Sequence, residues 1–348
     1  MTDRLRVLVV DDSAFMRGAV ARVLTGDTRF EVVAQARDGE EAVRMAAEHV
    51  PDLVTMDFNM PGMNGAEATR AILANRPVPI VMLSAHTTAG ARETVQALRA
   101  GAVDFVAKPA GEVSPNLALV RDELVRKLLA AAGSNLRAPV PASHPRSAGL
   151  DAIPRTVRVV PAGLRLIVVA SSTGGPAALS RVVPKLRIGT RAAVILVQHM
   201  PAGFTAALAE QLAEHSELPV REARAGDPIE PGVVLVAPGD RHLVVERAGR
   251  VALADTAPVH GVRPAADVTL SSAVQAFGAR VIGVVLTGMG RDGATGLAAV
   301  KAAGGRTLAQ DRASSTIYGM PRAAIELGAV DDVVSLDGLA RALNELVG

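Results

Sequence analysis

The sequence predicts two α/β domains in tandem: an N-terminal (βα)5 unit, then a doubly wound, mostly parallel sheet with a small β-hairpin excursion. Three observations carry that reading. Apolar, strand-like runs alternate with helically spaced segments in both halves of the 348-residue chain. Some of those runs, such as AAVILV and VIGVVL, are apolar throughout, as are strands of a parallel sheet covered on both faces. Between the halves, Ala131 to Gly163 is dominated by Pro, Ala, Ser, Gly and Arg without periodicity, which reads as a semi-stiff linker. The expected division is 1–130, 131–163 and 164–348.

Composition narrows the function classes. Hydrophobic residues make up 49% of the chain, enough for two cores. No apolar run reaches the ~18 residues of a transmembrane helix. The N-terminus enters a strand directly and lacks the pattern of a signal peptide. Cys is absent, which excludes disulfides, thiolate metal sites and Cys nucleophiles. These features predict a cytoplasmic protein with no direct membrane insertion. Residues 1–125 hold 13 Lys and Arg against 17 Asp and Glu, residues 126–165 hold 7 against 1, and residues 166–348 hold 17 against 17. The positive charge therefore lies in the connector and not on a folded face. With 2% aromatic residues as well, nucleic acid is not an expected partner.

In the first half the strands are LRVLVV, EVVAQA, DLVTM, PIVML and VDFVA. The last helix is expected to start at Ser114 with Pro115 in its first turn. Polar residues interrupt the strand ends: Asp11 and Asp12 after the first, Asp57 at the third, Ser84 at the fourth, Lys108 after the fifth. Each acid alone fits a turn. Together, three carboxylates on one sheet edge repel unless a cation neutralises them, and hard oxygen ligands of this kind suit Mg²⁺. A neighbouring lysine can pair with a phosphoryl oxygen.

The second half repeats a strand-then-turn pattern three times. RLIVVA leads into Ser171–Gly175, AAVILV into Gln198–Pro201, and VIGVVL into the Gly-rich stretch containing Asp292. Leu218 to Ala254 reads instead as short strands joined by Pro, Gly and Asp turns, with a hairpin tightened at Arg247–Gly249. Ser172 sits on a strand-to-helix elbow beside backbone N–H groups, suited to a nucleophile or to binding an anion. Among seven histidines only His199 directly follows a wholly apolar strand; His215 ends a polar helix, His242 opens an edge strand and His260 lies in a loop. Asp292 could orient a histidine tautomer. A rival reading is that Gly288–Gly293, a literal G-x-G-x-x-G, with Asp311 further on forms a dinucleotide site. Against it, Asp292 would lie where a pyrophosphate must, and only 37 residues follow Asp311.

The ordered set Asp11, Asp12, Asp57, DFNMPGMNG, Ser84 and Lys108 resembles the receiver domain of two-component response regulators. That resemblance implies Asp57 as phosphoacceptor from a histidine kinase. It further implies Mg²⁺ at Asp12, Asp57 and the Asn59 carbonyl with Asp11 close by, Ser84 and Lys108 as phosphoryl sensors, and Phe105 as the aromatic switch. SSTGGP, VQHMPAGFT, APGDRH, GVRPAAD, LTGMGRDGA and AQDRASSTIYGMPRAAIELGAV, in that order, resemble the catalytic domain of chemotaxis protein-glutamate methylesterases. The likeness implies Ser172 as nucleophile, His199 as base and Asp292 as its orienter, with backbone N–H groups at Thr173 and Met289 as oxyanion donors. It implies methyl-accepting chemoreceptors as substrate, glutamine deamidation by the same machinery, and no cofactor for the ester hydrolysis. An unphosphorylated receiver is expected to inhibit. Ala170-Ser171 stands where the family usually has Gly-Ala, which puts a second hydroxyl beside Ser172. The alternative is a response regulator whose second half binds a partner without chemistry.

Overall fold

A computed structural model describes residues 4–85, 87–108, 117–136, 163–189 and 191–348. The chain divides into two compact units, Met1–Pro141 and Ala142–Gly348. The first unit is a five-stranded sheet of β1 (Leu5–Val10), β2 (Phe30–Ala36), β3 (Leu53–Asp57), β4 (Ile80–Ala85) and β5 (Asp104–Lys108), in the order β2-β1-β3-β4-β5. Every pair is parallel. Starting the chain in mid-sheet and winding to both sides puts the ends of β1 and β3 side by side, where the acids are. The closing helix runs Leu117–Ala132, two residues past the expected boundary. The expected start at Ser114 and Pro115, and the linker from 137 to 162, lie outside the described residues.

The second unit contains β6 (Arg165–Ser171), β7 (Ala192–Gln198), β8 (Val220–Glu222), β9 (Val234–Val236), β10 (His242–Val245), β11 (Val251–Ala254), β12 (Val281–Val285), β13 (Arg306–Gln310) and β14 (Asp332–Val334). Seven of them form a parallel sheet in the order β14-β13-β12-β6-β7-β9-β8. Only β10 and β11 form the expected antiparallel hairpin, as a separate two-stranded sheet. Half of the stretch read as a β excursion therefore extends the main sheet. Short strands at a sheet edge carry too few residues for their pairing partner to be read from pattern alone.

The site follows from this topology. The chain leaves β6 toward β7 on one side and later leaves β12 toward β13 on the other, so the crevice between the carboxyl ends of β6 and β12 is a switch point. β6, β7 and β12 are buried along almost their whole length. At Gly283 a Cβ would come within 2.4 Å of Leu297, so the glycine lets the helix Ala294–Ala302 lie close on β12.

Candidate functional site

Ser172, His199 and Asp292 follow β6, β7 and β12 on one rim. The strand ends carrying Ser172 and His199 are adjacent, because the His199 N–H donates to the Ser171 carbonyl at 3.1 Å. On the other side the Ser172 N–H donates to the Thr287 carbonyl, just beyond β12, at 3.0 Å. His199 Nε2 lies 2.7 Å from Asp292 Oδ2. No hydrogen bond joins Ser172 to His199 among the described residues.

Asp292 is held from behind. Its Oδ2 accepts the Ala266 N–H at 2.6 Å and its Oδ1 the Asp267 N–H at 3.0 Å, both at the start of the helix Ala266–Phe277. Burial alone would raise its pKa, but the His199 contact and these two N–H groups outweigh burial and hold the carboxyl below its usual range. An ionised Asp292 makes Nε2 the protonated nitrogen of a neutral His199. That leaves Nδ1 as the basic one.

Gln198 was not singled out from the sequence, yet it ties the rim together. Its Nε2 donates to the carbonyls of Ser172 (3.0 Å) and His199 (3.2 Å), and its Oε1 accepts from Ser171 Oγ at 2.6 Å. Ser171 is wholly buried, so it is no second nucleophile beside Ser172. The one signal available was a polar residue ending a seven-residue strand that is otherwise apolar. Thr287 does similar work on the far side: its hydroxyl donates to the Thr173 carbonyl and accepts from the Ile317 N–H, both at 2.9 Å.

Of the expected oxyanion donors, Met289 has a backbone N–H with no partner among the described residues, while Thr173 has its carbonyl fixed by Thr287. Gly288 is required sterically, since a Cβ there would lie 2.7 Å from Ser172 Cβ and 2.3 Å from Met320 Sδ. The dinucleotide reading fails on the same geometry. Asp292 is turned onto a helix start and His199, and Asp311 accepts the Ser314 N–H at 2.8 Å as a turn residue. His242, expected at an edge strand, is wholly buried: Nε2 lies 3.1 Å from the Ala257 carbonyl and Nδ1 accepts the Ala265 N–H at 3.1 Å. His260, expected to be in a loop, lies 2.9 Å from Asp267 Oδ2.

In the first unit, Lys108 Nζ reaches Asp11 Oδ2 at 2.8 Å and Asp57 Oδ1 at 2.9 Å. One oxygen each from Asp11, Asp12 and Asp57 lies within 4.8 Å of the others. Burial, together with the negative charge of Asp11, raises the Asp57 pKa by more than Lys108 and the Phe58 N–H lower it. Burial pulls Lys108 down, but the two carboxylates more than reverse that and raise it. Excess buried carboxylate facing one ammonium is a donor set that fits Mg²⁺. Asn59 is exposed, its side-chain amide bonded to Glu93 at 2.8 Å. The Ser84 hydroxyl donates to the Gly90 carbonyl at 3.0 Å and accepts from Thr94. Phe105 is buried, with Lys127 Nζ 4.9 Å above its ring.

Comparison with known proteins adds three findings. The family model described as CheB methylesterase matches residues 167–343, and that of the response regulator receiver domain matches residues 7–114. Two similar proteins, from Symbiobacterium thermophilum and Pyrococcus horikoshii, are each named protein-glutamate methylesterase/protein-glutamine glutaminase. They are 46% and 44% identical over all of this chain and over 99% and 95% of their own lengths. The crystal structure of the Thermotoga maritima CheB methylesterase catalytic domain matches with a TM-score of 0.51 and 41% identity, covering 53% of this chain and 98% of that one. Among the described residues no helix is long and apolar enough to cross a membrane.

Proposed function

Since the chain belongs to the CheB methylesterase family and carries a response-regulator receiver domain ahead of the catalytic domain, we propose that it is a phosphorylation-controlled serine esterase. Its substrate would be glutamyl methyl esters on chemoreceptors, and it would deamidate glutamines there by the same route. The observation that carries this is the 2.7 Å contact between His199 Nε2 and an ionised Asp292, on the rim that also holds Ser172. Ser172 Oγ attacks the γ-carbonyl while His199 Nδ1 takes its proton, Nε2–H remaining on Asp292. The developing oxyanion meets the free N–H of Met289 and, by the family likeness, that of Thr173. Collapse expels methanol, or ammonia from glutamine, with the proton that His199 returns. Water then attacks the acyl-enzyme under the same base, releasing glutamate and restoring Ser172.

In the receiver, Asp57 accepts the phosphoryl group from a chemotaxis histidine kinase. Asp12, Asp57 and the Asn59 carbonyl, with Asp11 close by, would hold Mg²⁺, which supplies positive charge against the phosphoryl oxygens when bound. Lys108, already on Asp11 and Asp57, adds a second cation there. A domain that only bound a partner would have no use for a buried carboxylate bonded to a histidine beside a glycine-cleared serine.

The test is methanol release from methylated receptor membranes by wild type and Ser172→Ala, with and without a small-molecule phosphodonor. Release that requires Ser172 and rises with phosphodonor is expected. Undiminished release by Ser172→Ala would overturn the nucleophile, and no release by wild type would overturn the esterase.

A further inference from the structure

Behind His199, Asp292 belongs to a second arrangement that the proposed chemistry does not use. The residues preceding the helices Ala266–Phe277 and Ala294–Ala302, Ala265 and Gly293, make no side-chain cap. The two helix starts are instead capped crosswise. Asp292, just ahead of the second helix, accepts the Ala266 and Asp267 N–H groups of the first. Asp267, in the first turn of the first helix, accepts the Gly296 N–H of the second at 2.6 Å. The approach is close enough to need glycine, since a Cβ on Gly296 would sit 2.6 Å from Leu270 Cβ.

The remaining oxygen of Asp267 meets His260 Nε2 at 2.9 Å. Two observations indicate that the surrounding chain is shaped for this contact. His260 holds a φ of +54°, the left-handed region that residues with a Cβ seldom adopt. The segment carrying it is pinned at both ends by one buried imidazole, His242, which bridges Ala257 and Ala265. His260, Asp267 and Asp292 also lie close enough for a cation. However, the carboxylate oxygens already take N–H groups from Ala266, Asp267, Gly296 and the two histidines, so a hydrogen-bonded couple describes them better.

We propose that His260 and Asp267 are positioning residues for the catalytic carboxylate: a second His–Asp couple in series with His199–Asp292, coupled through the Asp267 N–H. It rests on the esterase reading above. His260 holds the Asp267 side chain on Gly296, and Asp267 in turn keeps its helix start aimed at Asp292. Without His260 the Asp267 carboxylate is free to turn, the crossed caps loosen, and Asp292 no longer presents a fixed oxygen to His199 Nε2.

The test uses the full-length protein with phosphodonor, comparing wild type, His260→Ala, His260→Gln, Asp267→Asn and the His260→Ala/Asp267→Asn double variant. His260→Ala should lower kcat about tenfold with KM unchanged, His260→Gln should recover most of the loss, and the double variant should be no slower than the slower single. The second readout is the downfield proton resonance of His199 Nε2–H, assigned by its disappearance in Asp292→Asn. It should shift in His260→Ala and return in His260→Gln. An unchanged kcat, a change confined to KM, additive effects or an unmoved resonance would each overturn the proposal. If Asp267→Asn fails to fold, the partly exposed His260 pair of variants still decides. Should wild type lack esterase activity, the resonance tests the couple independently of that reading.

Discussion

At Asp57 burial and the neighbouring Asp11 carboxylate together outweigh the cation beside it, which has a consequence for stability. Its folded-state pKa lies above the unfolded carboxyl value, so the folded protein binds this proton more tightly than the unfolded chain does. The group's contribution to stability is therefore largest at low pH and falls as pH rises through the window between the two values. Asp57→Asn should raise the Tm of the receiver transition at neutral pH, with a gain that shrinks toward pH 4; an equal or lower Tm at pH 7 would contradict this. Asp292 has the opposite sign: its pKa is lowered, so its contribution is present above the ordinary carboxyl range and lost below it. The difference between these two aspartates was not legible in the sequence, where both are acids after apolar strands. It depends on which N–H groups face them, and those of Ala266 and Asp267 come from a helix about 25 residues away in the chain. The strand-end positions of Ser172, His199 and Asp57 could be read because an apolar strand ending in a polar residue is a local pattern. Gln198 and His260 could not, because their partners are distant in sequence and their neighbours give no period.

At the scale of elements, the rim works only if the ends of β6, β7 and β12 keep their spacing. Gln198 braces the first two, and the Gly288 gap lets Ser172 sit against the third. Gly288→Ala places a methyl 2.7 Å from Ser172 Cβ and against Met320, so Ser172 or the Met289 N–H must move. A displacement of about 1 Å at the reacting centre costs on the order of 10²-fold in rate. Steady-state hydrolysis by Gly288→Ala should thus lose kcat by about that factor while the protein stays folded by circular dichroism; near-wild-type kcat would show that the rim tolerates the shift. The strands flanking this gap were legible because parallel strands buried on both faces are apolar throughout. β8 and β9, three residues each, read in the sequence as part of an excursion, because nothing in so short a run says which neighbour it pairs with.

At the scale of the whole molecule, the acidic receiver and the nearly neutral catalytic unit are joined by a connector, residues 131–163, that holds four Arg against one Asp. The catalytic domain of a 41%-identical relative crystallised alone, and 53% of this chain superposes on it, which argues that residues 164–348 fold independently. On the proposed reading, control by phosphorylation resides in residues 1–163, with Asp57 as its input. Three forms separate the alternatives: the full chain, full-length Asp57→Asn, and residues 164–348. With small-molecule phosphodonor, the full chain should accelerate and Asp57→Asn should stay at its basal rate. Residues 164–348 should hydrolyse at one rate whether phosphodonor is present or not, above that of the unphosphorylated full chain. A catalytic fragment slower than the unphosphorylated full chain would mean that the receiver assists the chemistry and does not restrain it. Phosphodonor response surviving in Asp57→Asn would move the input to another residue.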